Sequence, residues 1–278
     1  MVHTSILDDR SIVAVRGTEA RGFLQGLISN DMEKCTPGKA IYAALLTPQG
    51  KILYEFFVTE HDGRFLIDCS LSRAAEFVKR LSFYRLRAKI DISLQPELAV
   101  AALWDGDSAP HANGLAVFPD PRLDGLGTRL IGSKDALQNS VASGKRGDYR
   151  AHLLRLGVPN SDDIPPDTLF ALDAGFEELS GVDFKKGCYV GQEVTSRMKH
   201  RATARRRFMI VELLGSHPPA GTRLEAMGRE LGTLATGGEG RALALVRLDR
   251  LDEAREADAA ITAAGEPVKL HKPAWLEV

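Results

Sequence analysis

The amino-acid sequence predicts an α+β fold that ends in a small β-barrel. Over residues 1–206, strand-like runs alternate with helical apolar patterns, which is typical of split βαβ modules. After Arg207 the chain changes to short strand-like runs separated by glycine turns, which is typical of a small barrel or sandwich. At 278 residues, the chain is long enough for two or three packed modules.

Each element follows from its apolar spacing and from the turn residues that bound it. In the first part, strands are expected at 11–15, 41–46, 52–59, 65–69, 88–94 and 98–103. Helices are expected after Thr18, after Ser72, at 133–141 and at 149–156, with a polar surface loop at 105–113. In the last part, strands are expected at 208–213, 223–226, 231–235 and 242–246.

Charge and hydropathy narrow the class of protein. The chain carries 36 Lys and Arg against 37 Asp and Glu, for a net charge of −1. This balance argues against a dedicated nucleic-acid or membrane-surface protein. The first residues resemble no targeting leader, and no apolar run approaches the roughly 20 residues of a membrane span. We therefore expect a cytoplasmic protein with no membrane partner.

The cysteines exclude several kinds of metal site. Cys35, Cys69 and Cys188 are widely spaced, and the chain has no C-x-x-C pair. No self-contained zinc site is expected, and three scattered thiols do not supply the four ligands of a usual iron–sulfur cluster. Any cluster chemistry needs ligands from a partner, a second copy or a small molecule. Cys69 lies in a predicted strand and is expected in the core, whereas Cys35 lies in a polar loop.

Residues 185–201, with the sequence KKGCYVGQEVTSRMKHR, contain the candidate chemistry. Gly187 and Gly191 flank Cys188, so the backbone there can turn tightly or approach a ligand. A helix is expected from Gln192, with Glu193 and Arg197 spaced to pair. A thiol ahead of a helix and among basic residues is favoured as a thiolate. From spacing alone, a small buried hydrophobe remains the alternative for Cys188.

The segment KGCYVGQE at 186–193 resembles the signature of the YgfZ family, relatives of the aminomethyltransferase of the glycine cleavage system. FLQGLISND at 23–31, TPQGKI at 47–52 and GVP at 157–159 resemble further motifs of that family, in the same order. Beside Cys188, which the resemblance makes the key residue, the motif residues expected to matter are Lys186, Gly187, Tyr189, Gly191, Gln192, Glu193 and Arg197.

The resemblance implies an aminomethyltransferase-like fold with modules around a central cleft. We place the first module at 1–48 and 120–206, a ferredoxin-like module at 49–119 and the barrel at 207–278. The resemblance also implies a role in the assembly or repair of iron–sulfur clusters, with assembly proteins and client enzymes as partners. One such client is a tRNA-methylthiolating enzyme. Cys188 would then ligate iron transiently, share a cluster or exchange thiols, without being the catalytic residue of a conventional enzyme.

The resemblance further implies a tetrahydrofolate-type ligand in the cleft. The residues expected to bind it are Arg10, Asn30, Asp31, Tyr149 and Arg155. Tyr149 keeps a ring at a position where relatives stack the ligand. Arg155 stands where folate enzymes have a carboxylate. Tyr54 and Glu55 stand where the aminomethyltransferases have paired aspartates, one of which is essential. Glu55 is expected to be a solvent-facing strand residue, and a substitute carboxylate is the alternative.

Two other functions remain as alternatives. The first is a folate-dependent aminomethyl transferase, and the second is a tRNA-binding accessory protein. The substitutions at Tyr54 and Arg155 count against the first, and the neutral net charge counts against direct tRNA binding. The basic residues after the motif are expected to form either a solvated linker or an anion contact. They are Lys199, His200, Arg201, Arg205, Arg206 and Arg207.

Overall fold

The computed structural model describes residues 2–106, 114–141, 145–146, 148–201, 204–215, 217–238 and 240–277. Most of the surface loop expected at 105–113 lies outside these residues. The N-terminal part contains β1 (His3–Ile6), β2 (Arg10–Arg16), α1 (Ala20–Gln25), β3 (Ile41–Leu46), β4 (Ile52–His61), β5 (Arg64–Ser70), α2 (Ala74–Arg85), β6 (Asp91–Leu94) and β7 (Leu98–Trp104).

The middle of the chain contains β8 (Ala116–Pro119), β9 (Thr128–Ser133), α3 (Lys134–Val141), β10 (Lys145–Arg146), α4 (Tyr149–Leu156) and α5 (Gln192–His200). The C-terminal part contains β11 (Arg206–Leu213), β12 (Arg223–Ala226), β13 (Arg229–Gly238), β14 (Arg241–Arg247), α6 (Leu248–Glu256), β15 (Thr262–Ala263) and β16 (Glu266–His271). In the described part of the chain, no helix combines the length and the apolar character needed to cross a membrane.

The described strands form two open sheets and one closed barrel. The first sheet has the order β10-β1-β7-β9-β8, the second has the order β3-β4-β5-β2-β6, and the barrel has the order β11-β14-β13-β12-β15-β16. Neighbouring strands are antiparallel except for β1 and β10, which are parallel. The predicted α+β class with a C-terminal barrel is confirmed.

The sheets do not follow the module boundary that we placed between residues 48 and 49. That boundary falls in the turn between β3 and β4, which pair along their length from Ile41 opposite Val58 to Leu46 opposite Ile52. The second sheet therefore spans 10–94, while β1 joins the first sheet beside β7. The boundary was misplaced because a tight hairpin turn and a module junction have similar local sequences. The barrel begins at Arg206, one residue before the predicted start.

Alternation along β2 explains how the layers pack. Val13 and Val15 face the helical side of the second sheet, where α1 and α2 cover it. Ile12 and Ala14 point the other way, into a core shared with β7 of the first sheet. The two sheets thus pack face to face. This arrangement places the charged side chains of β4, β5 and β9 between the layers.

The barrel packs on the C-terminal end of α4. Gly157 ends that helix with φ of +73°, and a Cβ there would lie 2.7 Å from Cγ of Pro273. Only glycine permits this conformation and this approach together. The indole of Trp275 adds a hydrogen bond, because its Nε1 donates to the carbonyl of Leu156 at 3.0 Å. The sequence-predicted helix at 149–156 is confirmed, including its stop at Gly157.

Candidate functional site

Cys188 lies in the loop that leads into α5 and is exposed, whereas Cys35 and Cys69 are buried. Burial raises the pKa of both Cys35 and Cys69 to about 12, so these two remain protonated at neutral pH. Cys69 is in the core, as predicted. Cys35, which was expected in a polar loop, is buried under Val58, whose carbonyl lies 3.4 Å from its Sγ. Solvent access therefore singles out Cys188 among the three thiols.

The side chain of Lys186 connects the Cys188 loop to the end of α1 and to the residues that follow it. Its Nζ donates to the carbonyls of Gln25, Ile28 and Asn30 at 2.8, 2.6 and 2.9 Å. The side chain is buried, and burial lowers the pKa of Lys186 to about 8. The carboxylate of Asp183 accepts from the backbone N–H of Lys186 at 3.0 Å. These hydrogen bonds hold the loop in place close to Cys188, while the thiol itself stays exposed to solvent.

Asn30 and Asp31 belong to this attachment and not to the cleft. The Nδ2 of Asn30 donates to the carbonyls of Tyr42 and Ser180, each at 2.7 Å. The carboxylate of Asp31 accepts from Nε2 of Gln25 at 2.9 Å. Both side chains thus hold the chain that accepts Lys186. Neither lines the cavity that contains Arg10 and Tyr149, so the predicted ligand-binding set is divided between two places.

The two glycines of the motif have different roles. Gly191 has φ of +81°, and a Cβ there would lie 2.5 Å from the carbonyl oxygen of Thr47. It also meets Gly50, which has φ of +81° in the turn between β3 and β4. Gly187 has open space where its Cβ would be. Gly191 is therefore required for packing. Gly187 has no side chain that could hinder access to Cys188.

The remaining motif side chains divide into a buried ring and an exposed pair. Tyr189 is buried, and burial raises its pKa to about 12. The predicted pair of Glu193 and Arg197 is present at 3.8 Å, but these side chains are 92% and 54% exposed. An ion pair this open contributes little to stability. Gln192 begins α5, and its backbone N–H donates to the carbonyl of Tyr189.

Part of the basic cluster is neutralised by a nearby acidic segment. Arg206 pairs with Asp173 at 3.0 Å, and Arg207 lies 3.7 Å from Glu178. Lys199 pairs with Glu177 on the same segment. These contacts fit the reading of the cluster as a junction between the central region and the barrel.

A second feature is a cavity of about 400 Å³ between the sheets and the barrel. Arg10 and Tyr149 line it, as the sequence predicted, together with Glu55, Phe57 and Thr236. The Tyr149 hydroxyl is 3.3 Å from Oδ2 of Asp120, and burial raises its pKa to about 12. The volume lies within the range of small-molecule sites, about 300–1,000 Å³.

The floor of the cavity is a network of buried charges. Arg10 pairs with Glu55 at 2.9 Å and with Asp68 at 2.6 Å. Arg129 continues the network, at 2.6 Å from Asp68 and 3.0 Å from Asp120. It also lies over the ring of Phe57, with its Cζ 3.9 Å from the centroid.

Arg122 completes the network through Asp120, with a contact of 2.9 Å. Burial would raise the pKa of Asp120, but Arg122 and Arg129 outweigh this effect and hold that pKa well below its usual range. Three arginines thus meet three carboxylates, which are Glu55, Asp68 and Asp120. The buried network is neutral as a whole because each charge has a partner.

Two predictions about the cleft are wrong. Glu55 is not a solvent-facing strand residue, because it is buried and reaches the cavity floor. Burial would raise its pKa, but Arg10 and the Ser161 hydroxyl together lower it below the usual range. Arg155 does not line the cavity. Its guanidinium is half exposed and pairs with Asp105 at 3.3 Å on the outside of α4.

Known proteins resemble this chain in sequence and in fold. The chain is 33% identical to the human mitochondrial iron–sulfur cluster assembly factor IBA57, over 88% of this chain and 77% of the human protein. It is 29% identical to the mitochondrial IBA57 homologue of Neurospora crassa, over 73% of this chain and 52% of that protein. The chain belongs to the IBA57/CAF17 family.

The family assignment agrees with both halves of the fold. Residues 205–278 match the family model described as the C-terminal β-barrel domain of CAF17. The whole chain resembles the crystal structure of glycine cleavage system aminomethyltransferase T from Bartonella henselae, with a TM-score of 0.74 and 16% identity. That likeness covers 99% of this chain and 86% of the other. The predicted aminomethyltransferase-like fold is confirmed.

One prediction is overturned by the IBA57 relatives. They are named as mitochondrial proteins, which contradicts the cytoplasmic location that we inferred from the sequence. The inference was wrong because it rested on the first residues of the chain, and these do not determine a location.

Most of the buried network in this IBA57-family chain was not predicted from the sequence. Asp68 and Arg129 lie in strands among apolar neighbours, and both side chains are buried. A charge within such a strand is a signal of a buried ion pair, because an unpaired charge there is costly. Asp120 and Arg122 lie in an ordinary-looking loop, and nothing local in their sequence indicates a buried contact.

Proposed function

We propose that this chain acts in the assembly or repair of iron–sulfur clusters in client proteins, through the thiol of Cys188. The single observation that carries the proposal is the exposure of Cys188 on a loop held rigidly by Lys186. The relatives named as iron–sulfur cluster assembly factors support it. A thiol that must meet a partner has to be reachable, and the two buried thiols are not.

The chain supplies one ligand to a cluster and not a complete shell. Among the described residues, no group of three or more His, Cys, Asp or Glu side chains is placed to hold a metal ion. In this proposal a cluster or iron ion is cargo, and its other ligands come from a partner, a second copy or a small molecule. The open space beside Gly187 lets another surface approach Cys188 closely.

We also propose that the cavity takes a reduced folate or a related flat ring. The cavity has a suitable volume, and Glu55 gives it a buried carboxylate that accepts hydrogen bonds from adjacent ring N–H donors. Phe57 and Tyr149 give it aromatic walls. The motif residues support this division of roles, since none of 186–193 lines the cavity. In this proposal the ligand and the thiol act at separate places.

The test is rescue of a host strain from which the gene is deleted. The readouts are the activity of a four-iron dehydratase and the methylthiolation of tRNA. Wild type should restore both, and Cys188→Ala at equal protein level should restore neither. Cys69→Ala removes a buried thiol and should still rescue. Full rescue by Cys188→Ala would refute the role of the thiol.

Chemical labelling of the purified protein gives an independent check. At neutral pH, iodoacetamide should modify Cys188 and leave Cys35 and Cys69 unmodified until the protein unfolds, because burial keeps those two thiols protonated and inaccessible. Peptide mass spectrometry identifies the modified residue. Equal labelling of all three would mean that the thiols do not differ in access.

A further inference from the structure

The turn after α2 carries an exposed surface that the functions above do not use. Phe83 is 76% exposed and Leu86 is 87% exposed. Exposed basic side chains surround them, namely Lys79, Arg80, Arg85, Arg87 and Lys89. We call these seven residues the α2 tip.

The basic side chains of the α2 tip form no ion pair with any carboxylate among the described residues. Glu76 is the acid nearest in the helix, and it pairs with Arg73 at 3.4 Å. The carboxylate of Glu19 accepts a hydrogen bond from the backbone N–H of Lys89. The five basic residues of the tip outnumber Glu19 and Glu76, so this surface is positive although the whole chain has a net charge of −1.

The backbone of the α2 tip holds an apolar side chain outward in an unfavourable conformation. Leu86 follows the last residue of α2 with φ of +47° and ψ of −107°. A positive φ is uncommon for residues other than glycine, and a branched apolar residue with this backbone conformation is costly. The exposed Leu86 has no packing role that offsets this cost. Backbone outliers of this kind cluster at functional sites.

Helix α1 connects the Lys89 end of the α2 tip to the Cys188 loop. At the N-terminal end of α1, the carboxylate of Glu19 accepts from the backbone of Lys89. At its C-terminal end, the carbonyl of Gln25 accepts from Nζ of Lys186 at 2.8 Å. Glu19 and Gln25 are six positions apart, which corresponds to about 9 Å along the helix. A partner that covers α1 would therefore contact both the Cys188 loop and the end of the tip.

We propose that the α2 tip docks an acidic protein whose apolar pocket receives Phe83 and Leu86. This inference deepens the proposed function and rests on it, since the partner is an iron–sulfur protein that also meets Cys188. Protein interfaces typically have an apolar centre within a polar rim, and aromatic residues and arginine are enriched in them. The positive rim steers an acidic partner and sets its orientation.

The geometry favours a protein over the other anionic surfaces. The rings of Phe83 and Tyr84 meet edge to face, at 80° with centroids 5.9 Å apart, and Tyr84 is half-buried. They therefore do not form a stacking platform for nucleic-acid bases. Two protruding apolar side chains bury little area in a lipid surface, which makes a lasting membrane anchor a poorer fit.

The experiment places a photo-crosslinking amino acid at Ser82, which is exposed beside Phe83, in the deletion strain. Crosslinked partners are identified by mass spectrometry, and the same partner is then purified and titrated. We expect an iron–sulfur protein with an acidic surface. Phe83→Ser with Leu86→Ser should weaken its binding about tenfold or more. Lys79→Glu with Arg85→Glu and Arg87→Glu should do the same and remove its salt dependence.

Matched controls use exposed residues elsewhere on the chain. Leu71→Ser and Met227→Ser remove side chains that are 54% and 48% exposed, and Lys134→Glu reverses an exposed charge on α3. All three should bind the partner as wild type does. Equal weakening by the controls and the tip variants would overturn the inference. So would crosslinking to RNA alone, or binding only to vesicles that contain phosphatidylglycerol.

Rescue of the dehydratase separates this inference from the proposed function. If Cys188→Ala abolishes rescue while the tip variants rescue fully and bind normally, the docking surface is refuted and the role of the thiol stands. If Cys188→Ala rescues fully, the role of the thiol is refuted. The docking inference then falls as well, unless the crosslinked partner still loses affinity through the tip variants alone.

Discussion

At the scale of single residues, Glu55 links the buried network to the cavity. Its Oε1 accepts from Nη1 of Arg10 at 2.9 Å and also contacts the hydroxyl of Ser161. Arg10 keeps a second carboxylate in Asp68, so the network does not depend on Glu55 alone. This redundancy permits a conservative change at Glu55 that alters the cavity without leaving Arg10 unpaired.

We expect Glu55→Gln to weaken the binding of a reduced folate by about tenfold, because the amide presents one acceptor and one donor group where the carboxylate presents acceptors only. Isothermal titration of tetrahydrofolate into the purified protein measures the effect. Glu76→Gln changes an exposed carboxylate on α2 outside the cavity and should bind as wild type does. No heat from wild type at millimolar ligand would refute the folate proposal itself.

Some of these residue positions could be predicted from the sequence, and others could not. The motif resemblance located Cys188, and the position of Arg10 and Tyr149 at one cavity was predicted. The placement of Glu55 was not, because strand alternation distinguishes two faces but does not say whether the second face is covered. Here both faces of the second sheet are covered, so a charged residue on β4 is buried.

At the scale of elements, α5 is positioned by the turn between β3 and β4. Gly191 precedes the helix, and its backbone packs against Thr47 and Gly50 of that turn. Val194, on the first turn of α5, lies against Gly50. A Cβ at Gly50 would lie 3.0 Å from the Cβ of Val194. Two left-handed glycines in contact thus set where the helix begins, and with it the place of Cys188.

We expect Gly191→Ala to lower the free energy of unfolding by roughly 2 kcal/mol or more, since it adds both a left-handed alanine and a steric conflict with Thr47. Gly187→Ala is the matched control. It should change that free energy by less than about 0.5 kcal/mol, because nothing lies near its Cβ position. Urea unfolding followed by circular dichroism measures both, and equal effects would contradict this account.

The elements themselves were largely predictable, but their contacts were not. The helix at 149–156 and the turn at 47–50 appear where apolar spacing and turn residues place them. The meeting of that turn with Gly191 joins segments far apart in the chain, and no local pattern encodes such a contact. The exposure of Cys188 also depends on such contacts, so only the structure shows it. The motif around Cys188 is recognisable from the sequence alone.

At the scale of the whole molecule, a buried carboxylate adds to the contacts of Pro273, Trp275 and Arg206 that join the barrel to the central region. Asp163 follows α4, and Arg150 on that helix contacts it at 2.9 Å. From the barrel, the backbone N–H of Thr236 donates to the same carboxylate at 2.9 Å. The cavity lies between these parts, with both Arg150 and Thr236 in its wall. The shape of the cavity therefore depends on how firmly the barrel is held.

We expect Asp163→Ala to destabilise this junction by about 3 kcal/mol, because it leaves Arg150 and the N–H of Thr236 without their shared acceptor. The barrel retains its own closed sheet, so it should separate from the rest in unfolding. Calorimetry should then show two transitions in place of one. Asp162→Ala is the matched control, since its side chain is exposed and its loss should leave one transition. A single, unshifted transition for Asp163→Ala would mean that the apolar contacts of Gly157 with Pro273 and the hydrogen bond from Trp275 suffice to hold the barrel.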